Sequence, residues 1–166
     1  MLAITHLGNH RFLVPANLAL LSWYLFIQKR TWFSIRVISI AISSLGLMLL
    51  FKRIFLRKRP INPLLSPVRG QSFPSGHAMM SATFYGVLIY VISNTTGRIM
   101  QLILIPPLVI LTGLIGFSRI YLRVHYTSDV LAGFAIGLSW LGISLNTLQK
   151  LEDYNKQTVK TLTQPV

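Results

Sequence analysis

No cysteine occurs anywhere in the chain, which excludes disulfides and thiolate metal ligands and leaves the redox compartment open. Acidic residues are nearly as scarce: three Asp and Glu stand against 16 Lys and Arg, a formal net charge of +13. Two of the three, Glu152 and Asp153, fall in a polar C-terminal stretch, so Asp129 is the one carboxylate within the apolar body of the sequence. Charged residues make up 11% of the chain, where soluble domains carry about 25%. Together with 52% hydrophobic residues and a mean hydropathy of +0.59, that deficit points to an integral membrane protein. The basic excess calls for anionic partners: phosphate groups, acidic lipid headgroups or nucleic acid. Apolar runs interrupt the basic residues throughout, so we expect no nucleic acid. The opening "MLAITHLGNHRF" has no basic n-region and no separate apolar core before a small-residue site, so it lacks the features of a cleavable signal peptide. No internal repeat is evident.

What is present in quantity is apolar sequence. Five runs, at residues 12–28, 32–51, 77–93, 99–117 and 130–148, approach the roughly 20 residues that a helical crossing needs. The predicted fold class is therefore all-α, a polytopic transmembrane helix bundle of five spans. The first run is short and holds Pro15 and Asn17. Pro106-Pro107 should kink the fourth, a break tolerated where neighbouring helices cover the freed carbonyls. The fifth carries Gly133-x-x-x-Gly137, which lets helix backbones approach closely. We divide the chain into a membrane-embedded domain, residues 1–148, and a polar tail, residues 149–166, expected to be loose. "RPINPLLSPVRGQSFP", rich in proline, reads as an ordered loop.

Two loops collect the chemistry. The first holds Lys52, Arg53, Arg57, Lys58 and Arg59-Pro60, then Arg69 and Ser75-Gly76-His77; the second holds Ser118-Arg119, Arg123, His125 and Asp129. With five alternating crossings, the loops after spans two and four lie on one face of the membrane. Pro74 keeps the approach extended and Ser75 is a favoured N-cap, so the third span should open near Gly76. Its free N–H groups and dipole would face the loop as an anion site, with His77 beside it. The same stretch also reads as an ordinary capped helix with an interfacial histidine. His125 and Asp129, spaced i, i+4, can meet on a helix face, where a carboxylate on one imidazole nitrogen leaves the other free to attack. Alternatively Asp129 pairs with Arg119 or Arg123, or caps the fifth span. Lys52 and Arg59 are spaced to share a helix face and offer a point charge and a planar fork to phosphate. For Arg53, Arg57 and Lys58 we prefer snorkelling at the membrane edge. His6 and His10 read as N-terminal loop or interfacial residues.

Lys52-x6-Arg59-Pro60, Pro74-Ser75-Gly76-His77 and Ser118-Arg119-x5-His125-x3-Asp129 follow one another in that order, flanked by "SFPSGHAMMSATFYG" and "HYTSDVLAG". This combination resembles the signature of the type 2 phosphatidic acid phosphatase (PAP2) superfamily, in its bacterial membrane branch. The resemblance implies His125 as nucleophile through a phosphohistidine, Asp129 as its orienting carboxylate, and His77 as general acid and then base. It assigns the phosphoryl oxygens to Lys52, Arg59 and Arg119, with Ser75 and the Gly76 backbone completing the cradle. It implies no metal and no cofactor. The chain has too few candidate ligands for a two-metal phosphatase site in any case, and three cations with a helix N-terminus suit the spread negative charge of phosphoryl transfer.

The expected activity is hydrolysis of a terminal phosphate from a lipid phosphate or diphosphate: phosphatidic acid, phosphatidylglycerophosphate or undecaprenyl diphosphate. The alternative is a catalytically idle, shortened relative that binds anionic lipid or a membrane partner. Vanadate-dependent haloperoxidases share the phosphate-binding residues but are soluble and much larger, which the apolar spans oppose. Membrane members of the superfamily usually have six spans, so the resemblance implies that the first has no counterpart here. The expected location is a bacterial inner membrane, with the site on the periplasmic or extracytoplasmic face and the C-terminus cytoplasmic. Charge counting does not decide the orientation. Nine Lys and Arg fall on the site face against seven opposite, and setting aside three for phosphate leaves six against seven.

Overall fold

The twenty residues Gly76–Thr95 form α4, the helix around which the others pack. In a computed structural model, which describes residues 1–65 and 70–163, half of the apolar window of α4 is buried, against 11–28% for the other long helices. The chain begins with a short helix, α1 (Leu2–His6), followed by α2 (His10–Ser22), whose last turn widens into a π-helical segment at Trp23–Ile27. Then come α3 (Thr31–Phe55), α4, α5 (Arg98–Tyr121) and α6 (Thr127–Thr163). No strand occurs among the described residues, and the fold is an all-α bundle as expected.

Among the described residues four helices, α3 to α6, are long and apolar enough to cross a membrane, where five crossings were expected. The segment expected as the first, residues 12–28, is divided between the 13 residues of α2 and the π-helical turn, and α2 alone is too short. It packs along α3 and contributes Leu13 and Tyr24 to the core. Pro106 and Pro107 lie inside α5, which continues through both. The large apolar side chains left exposed, such as Ile42, Leu102, Ile103 and Leu138, are those a bilayer would cover.

Glycines in α6 fix its closest approach to α4. A Cβ on Gly133 would meet the Ser75 carbonyl oxygen at 2.8 Å, and one on Gly137 the Met79 carbonyl oxygen at 2.8 Å. The two backbones therefore touch, as the small-residue spacing predicts. The segment expected to be a loose tail is helical: α6 continues past Leu148 to Thr163. At about 1.5 Å per residue it is about 55 Å long, well beyond a hydrocarbon core of about 30 Å. Its continuation is anchored where buried Arg36 reaches Glu152 at 2.7 Å and Gln149 at 2.6 Å.

Candidate active site

The loop from α3 to α4 is shaped by its backbone before its side chains. Leu56 closes α3 in the left-handed region, φ 43°, and sends the chain across the end of the bundle. The helix thus stops short of Arg59, and Lys52 and Arg59 do not share a helix face. They converge through the turn instead. Lys52 Nζ donates to the Gln71 and Pro74 carbonyls at 2.7 and 3.1 Å, and Arg59 Nε to the Gly70 carbonyl at 3.0 Å. Arg59 Nη1 crosses to the second loop, donating to the Val124 carbonyl at 2.9 Å. Arg69 lies outside the described residues. Of the three basic residues read as snorkelling, Arg53 and Lys58 are exposed, but Arg57 is not idle.

Ser75 caps α4 as expected: its Oγ accepts from the Ala78 N–H at 3.5 Å, and its own N–H donates to the Asp129 carbonyl at 3.0 Å. The hydroxyl is fully buried in that role, while Gly76 and His77 of the first turn line a cavity.

His125 does not lie on α6. It lies in the loop two residues before Thr127, so the expected helical i, i+4 pairing with Asp129 is replaced by another arrangement. His125 Nδ1 and Asp129 Oδ2 are 3.7 Å apart, beyond hydrogen-bonding distance. Ser72 stands between them, its Oγ 2.5 Å from Asp129 Oδ2 and 3.3 Å from His125 Nδ1. The carboxylate is fully buried and also accepts from the Tyr126 N–H at 2.9 Å. Its other oxygen accepts from Arg57 Nη1 at 2.8 Å. Arg57 further donates to Ser128 Oγ at 2.8 Å and lies 4.3 Å from the centroid of the Tyr126 ring. Asp129 thus pairs with Arg57 rather than Arg119 or Arg123, and it also ties down the start of α6.

A cavity of about 470 Å³ joins these parts. One end is lined by Lys52, Arg59, Arg119, Gly76, His77, His125 and His10. The other is an apolar groove between Leu13, Val14 and Leu18 of α2 and Ile38, Ile42, Leu45 and Met48 of α3. Arg119 is 4% exposed; its Nη1 donates to Thr5 Oγ1 at 2.6 Å, and its buried Nε has no partner. The N-terminal segment also walls the site at Gly8, where a Cβ would come within 3.3 Å of His77 Cδ2. Burial, reinforced by Arg59, Arg119 and Lys52, pushes the His125 imidazole down to about 3, so the ring is neutral at physiological pH. Asp129 is hydrogen-bonded to Arg57, so positive charge predominates at this end of the cavity, and a site of that sign favours an anionic ligand.

Of the residues at the cationic end, the sequence reading singled out Lys52, Arg59, Gly76, His77, Arg119 and His125 but not Gly8 or His10, and it gave no site role to Arg57, Ser72 or Thr5. "SFPSGHA" contains Ser72, but nothing local distinguishes its hydroxyl from that of Ser75.

Comparison with known proteins gives consistent matches. A family model described as the PAP2 superfamily matches residues 33–153. Phosphatidylglycerophosphatase B of Bacillus subtilis is 33% identical over 141 residues, covering 83% of this chain and 68% of that protein. Decaprenylphosphoryl-5-phosphoribose phosphatase of Mycobacterium tuberculosis is 35% identical over 96 residues, 55% of this chain and 48% of that protein. Among solved structures, a transmembrane PAP2-type phosphatidylglycerolphosphate phosphatase from Bacillus subtilis superposes with a TM-score of 0.81 at 29% identity, covering 89% of this chain and 74% of that one. Aquifex aeolicus LpxE gives a TM-score of 0.64 at 27% identity, covering 87% and 82%.

Proposed function

The chain belongs to the PAP2 superfamily, and from that premise we propose that it is a membrane phosphatase removing a terminal phosphate from a lipid phosphate or diphosphate. The observation that carries the proposal is the two-ended cavity: Lys52, Arg59 and the under-partnered Arg119 at one end, an apolar groove between α2 and α3 leading away from it. A phosphate on a long hydrocarbon chain has that same division. The relatives described above are phosphatases named for phosphate on a glycerol lipid or on a prenyl-linked ribose. Phosphatidic acid, phosphatidylglycerophosphate and undecaprenyl diphosphate all fit this chemistry.

In the mechanism we propose, Lys52, Arg59 and Arg119 hold the non-bridging oxygens, with the Gly76 backbone at the start of α4 adding N–H groups and dipole. Ser75 contributes by capping that helix end. The neutral Nε2 of His125 attacks phosphorus, forming an N–P bond as the bond from phosphorus to the leaving oxygen breaks. His77 supplies the proton that the leaving oxygen needs. It then takes a proton from water, whose oxygen attacks the phosphohistidine, releasing phosphate and restoring both histidines. Asp129 orients His125 throughout. No step requires a metal or cofactor. We further propose a bacterial inner membrane, with the site on the extracytoplasmic face and the end of α6 in the cytoplasm.

The test is phosphate release from short-chain phosphatidic acid, phosphatidylglycerophosphate and a prenyl diphosphate by purified protein in detergent with excess EDTA. EDTA-resistant release that is absent in His125→Ala supports the reading, and the rates rank the substrates. A folded sample that releases nothing contradicts it and favours an idle anionic-lipid binder.

A further inference from the structure

We propose that Ser72 is a positioning residue through which Asp129 acts on His125, fixing the imidazole with its proton on Nδ1 and its lone pair on Nε2. The inference rests on the reading of His125 as nucleophile.

Proton bookkeeping on both sides of the ring leads to this assignment. A carboxylate only accepts, so the 2.5 Å contact commits the Ser72 hydroxyl hydrogen to Asp129 Oδ2. The Ser72 oxygen can then only accept from the ring, which puts a hydrogen on His125 Nδ1, 3.3 Å away. On the opposite edge, Arg59 Nη1 lies 3.3 Å from Nε2, and a guanidinium only donates. Nε2 must therefore present its lone pair, and it does so at the cationic end of the cavity. Two independent contacts agree on one tautomer.

The geometry also gives the hydroxyl a role of its own beside the Ser72 backbone, which bonds to the His125 ring as well but does not connect it to the carboxylate. The direct distance from Nδ1 to Oδ2, 3.7 Å, leaves Asp129 unable to hold the ring by itself. Ser72 is fully buried, so water does not substitute for it, and its N–H donates to the Arg57 carbonyl at 2.8 Å. Arg57 holds Asp129 Oδ1 with its guanidinium, so one residue fixes both ends of the relay. As the N–P bond forms, positive charge develops on the imidazole. The Nδ1 hydrogen stays in place, and its bond to Ser72, polarised by the carboxylate behind it, strengthens. No proton leaves the ring.

A double-mutant cycle tests the relay. Ser72→Ala should lower kcat by about 10- to 100-fold, by analogy with metal-ligating imidazoles that lose their orienting partner, with KM changed less than about threefold. Ser72→Thr, which keeps the hydroxyl, should recover most of the loss. Asp129→Asn should cost clearly less in the Ser72→Ala background than in the wild type, since the path from carboxylate to ring is already broken and only the loss of its bonds to Arg57 and the Tyr126 N–H remains. An equal Asp129→Asn effect in both backgrounds would overturn the proposal. Nitrogen-15 spectra of His125 give a readout independent of turnover: the Nδ1–H form in the wild type, a mixture of tautomers in Ser72→Ala. If the wild type proves inactive, the phosphatase reading fails while the spectra still decide the relay. If Ser72→Ala does not fold, an Nε2–H ring in the wild type would by itself refute the assignment.

Discussion

Gly133→Ala should damage the site through packing alone. Its new Cβ would lie 2.8 Å from the Ser75 carbonyl oxygen and 3.1 Å from Ala78 Cβ, with Met79 N at 3.3 Å. The nearest obstacles are backbone at the first turn of α4, so no flexible side chain can swing away. Carbon and oxygen settle at about 3.3 Å or more, so α6 must retreat from α4 by about 0.5 Å. Overpacking of this kind costs about 1–3 kcal/mol. The displaced segment carries Asp129, whose carbonyl holds the Ser75 N–H, and a misplacement of about 1 Å near reacting groups can cost about a hundredfold in rate. About tenfold in kcat is then expected for half that shift. Gly142→Ala is the internal control, because a Cβ there meets nothing within 4 Å on the same helix. It should be neutral, or stabilise by up to about 1 kcal/mol through helix propensity. Thermal midpoints in detergent and lipid phosphatase rates on the pair decide the matter. Unchanged midpoint and rate in Gly133→Ala would refute the claim that backbone contact between α4 and α6 sets the site.

Thr5→Val removes the acceptor 2.6 Å from Arg119 Nη1 and leaves the buried guanidinium further under-partnered. The ligand-free protein should lose about 1–3 kcal/mol, and vanadate should raise the melting midpoint of the variant more than that of the wild type. The His125 imidazole, held near 3 by burial and the surrounding cations, is depressed from an unfolded value of about 6.5. Its contribution to stability is therefore full above about pH 6.5 and is lost as pH falls from there towards 3. Midpoints measured from pH 7 to 4 should accordingly fall more steeply for the wild type than for His125→Gln, and parallel curves would contradict this. The cysteine-free sequence makes orientation testable: Lys58→Cys should react with an impermeant maleimide from outside intact cells, and Asn155→Cys only after permeabilisation. The reverse pattern would place the site in the cytoplasm.

The long apolar helices and the Gly133/Gly137 contact were legible because each rests on periodicity or spacing within one segment. The cationic end was legible because Lys52, Arg59, Arg119, His77 and His125 are unusual residues beside apolar spans. What escaped depends on contacts between distant segments. Arg57 and Asp129 are 72 positions apart, and Thr5 and Arg119 are 114 apart. No local pattern distinguishes Arg57, which clamps the carboxylate, from Arg53 and Lys58, which stay exposed. The spacing of His125 and Asp129 suggested a direct helical pair, but α6 starts between them and Ser72 fills the gap. The C-terminal stretch was read as loose because it is polar, whereas the Arg36 and Glu152 pair ties a continuing helix to the bundle.

The central claim is that the His125 imidazole carries the phosphoryl group, and trapping it tests that claim most directly. Protein quenched in base within the first turnover of a radiolabelled lipid phosphate should retain acid-labile, base-stable label on a peptide containing His125. His77→Ala should keep the label longer if it still forms the intermediate, since its water-activating base is gone, and His125→Ala should show none. Release of phosphate at full rate with no label on histidine, or undiminished turnover in His125→Ala, would contradict the account.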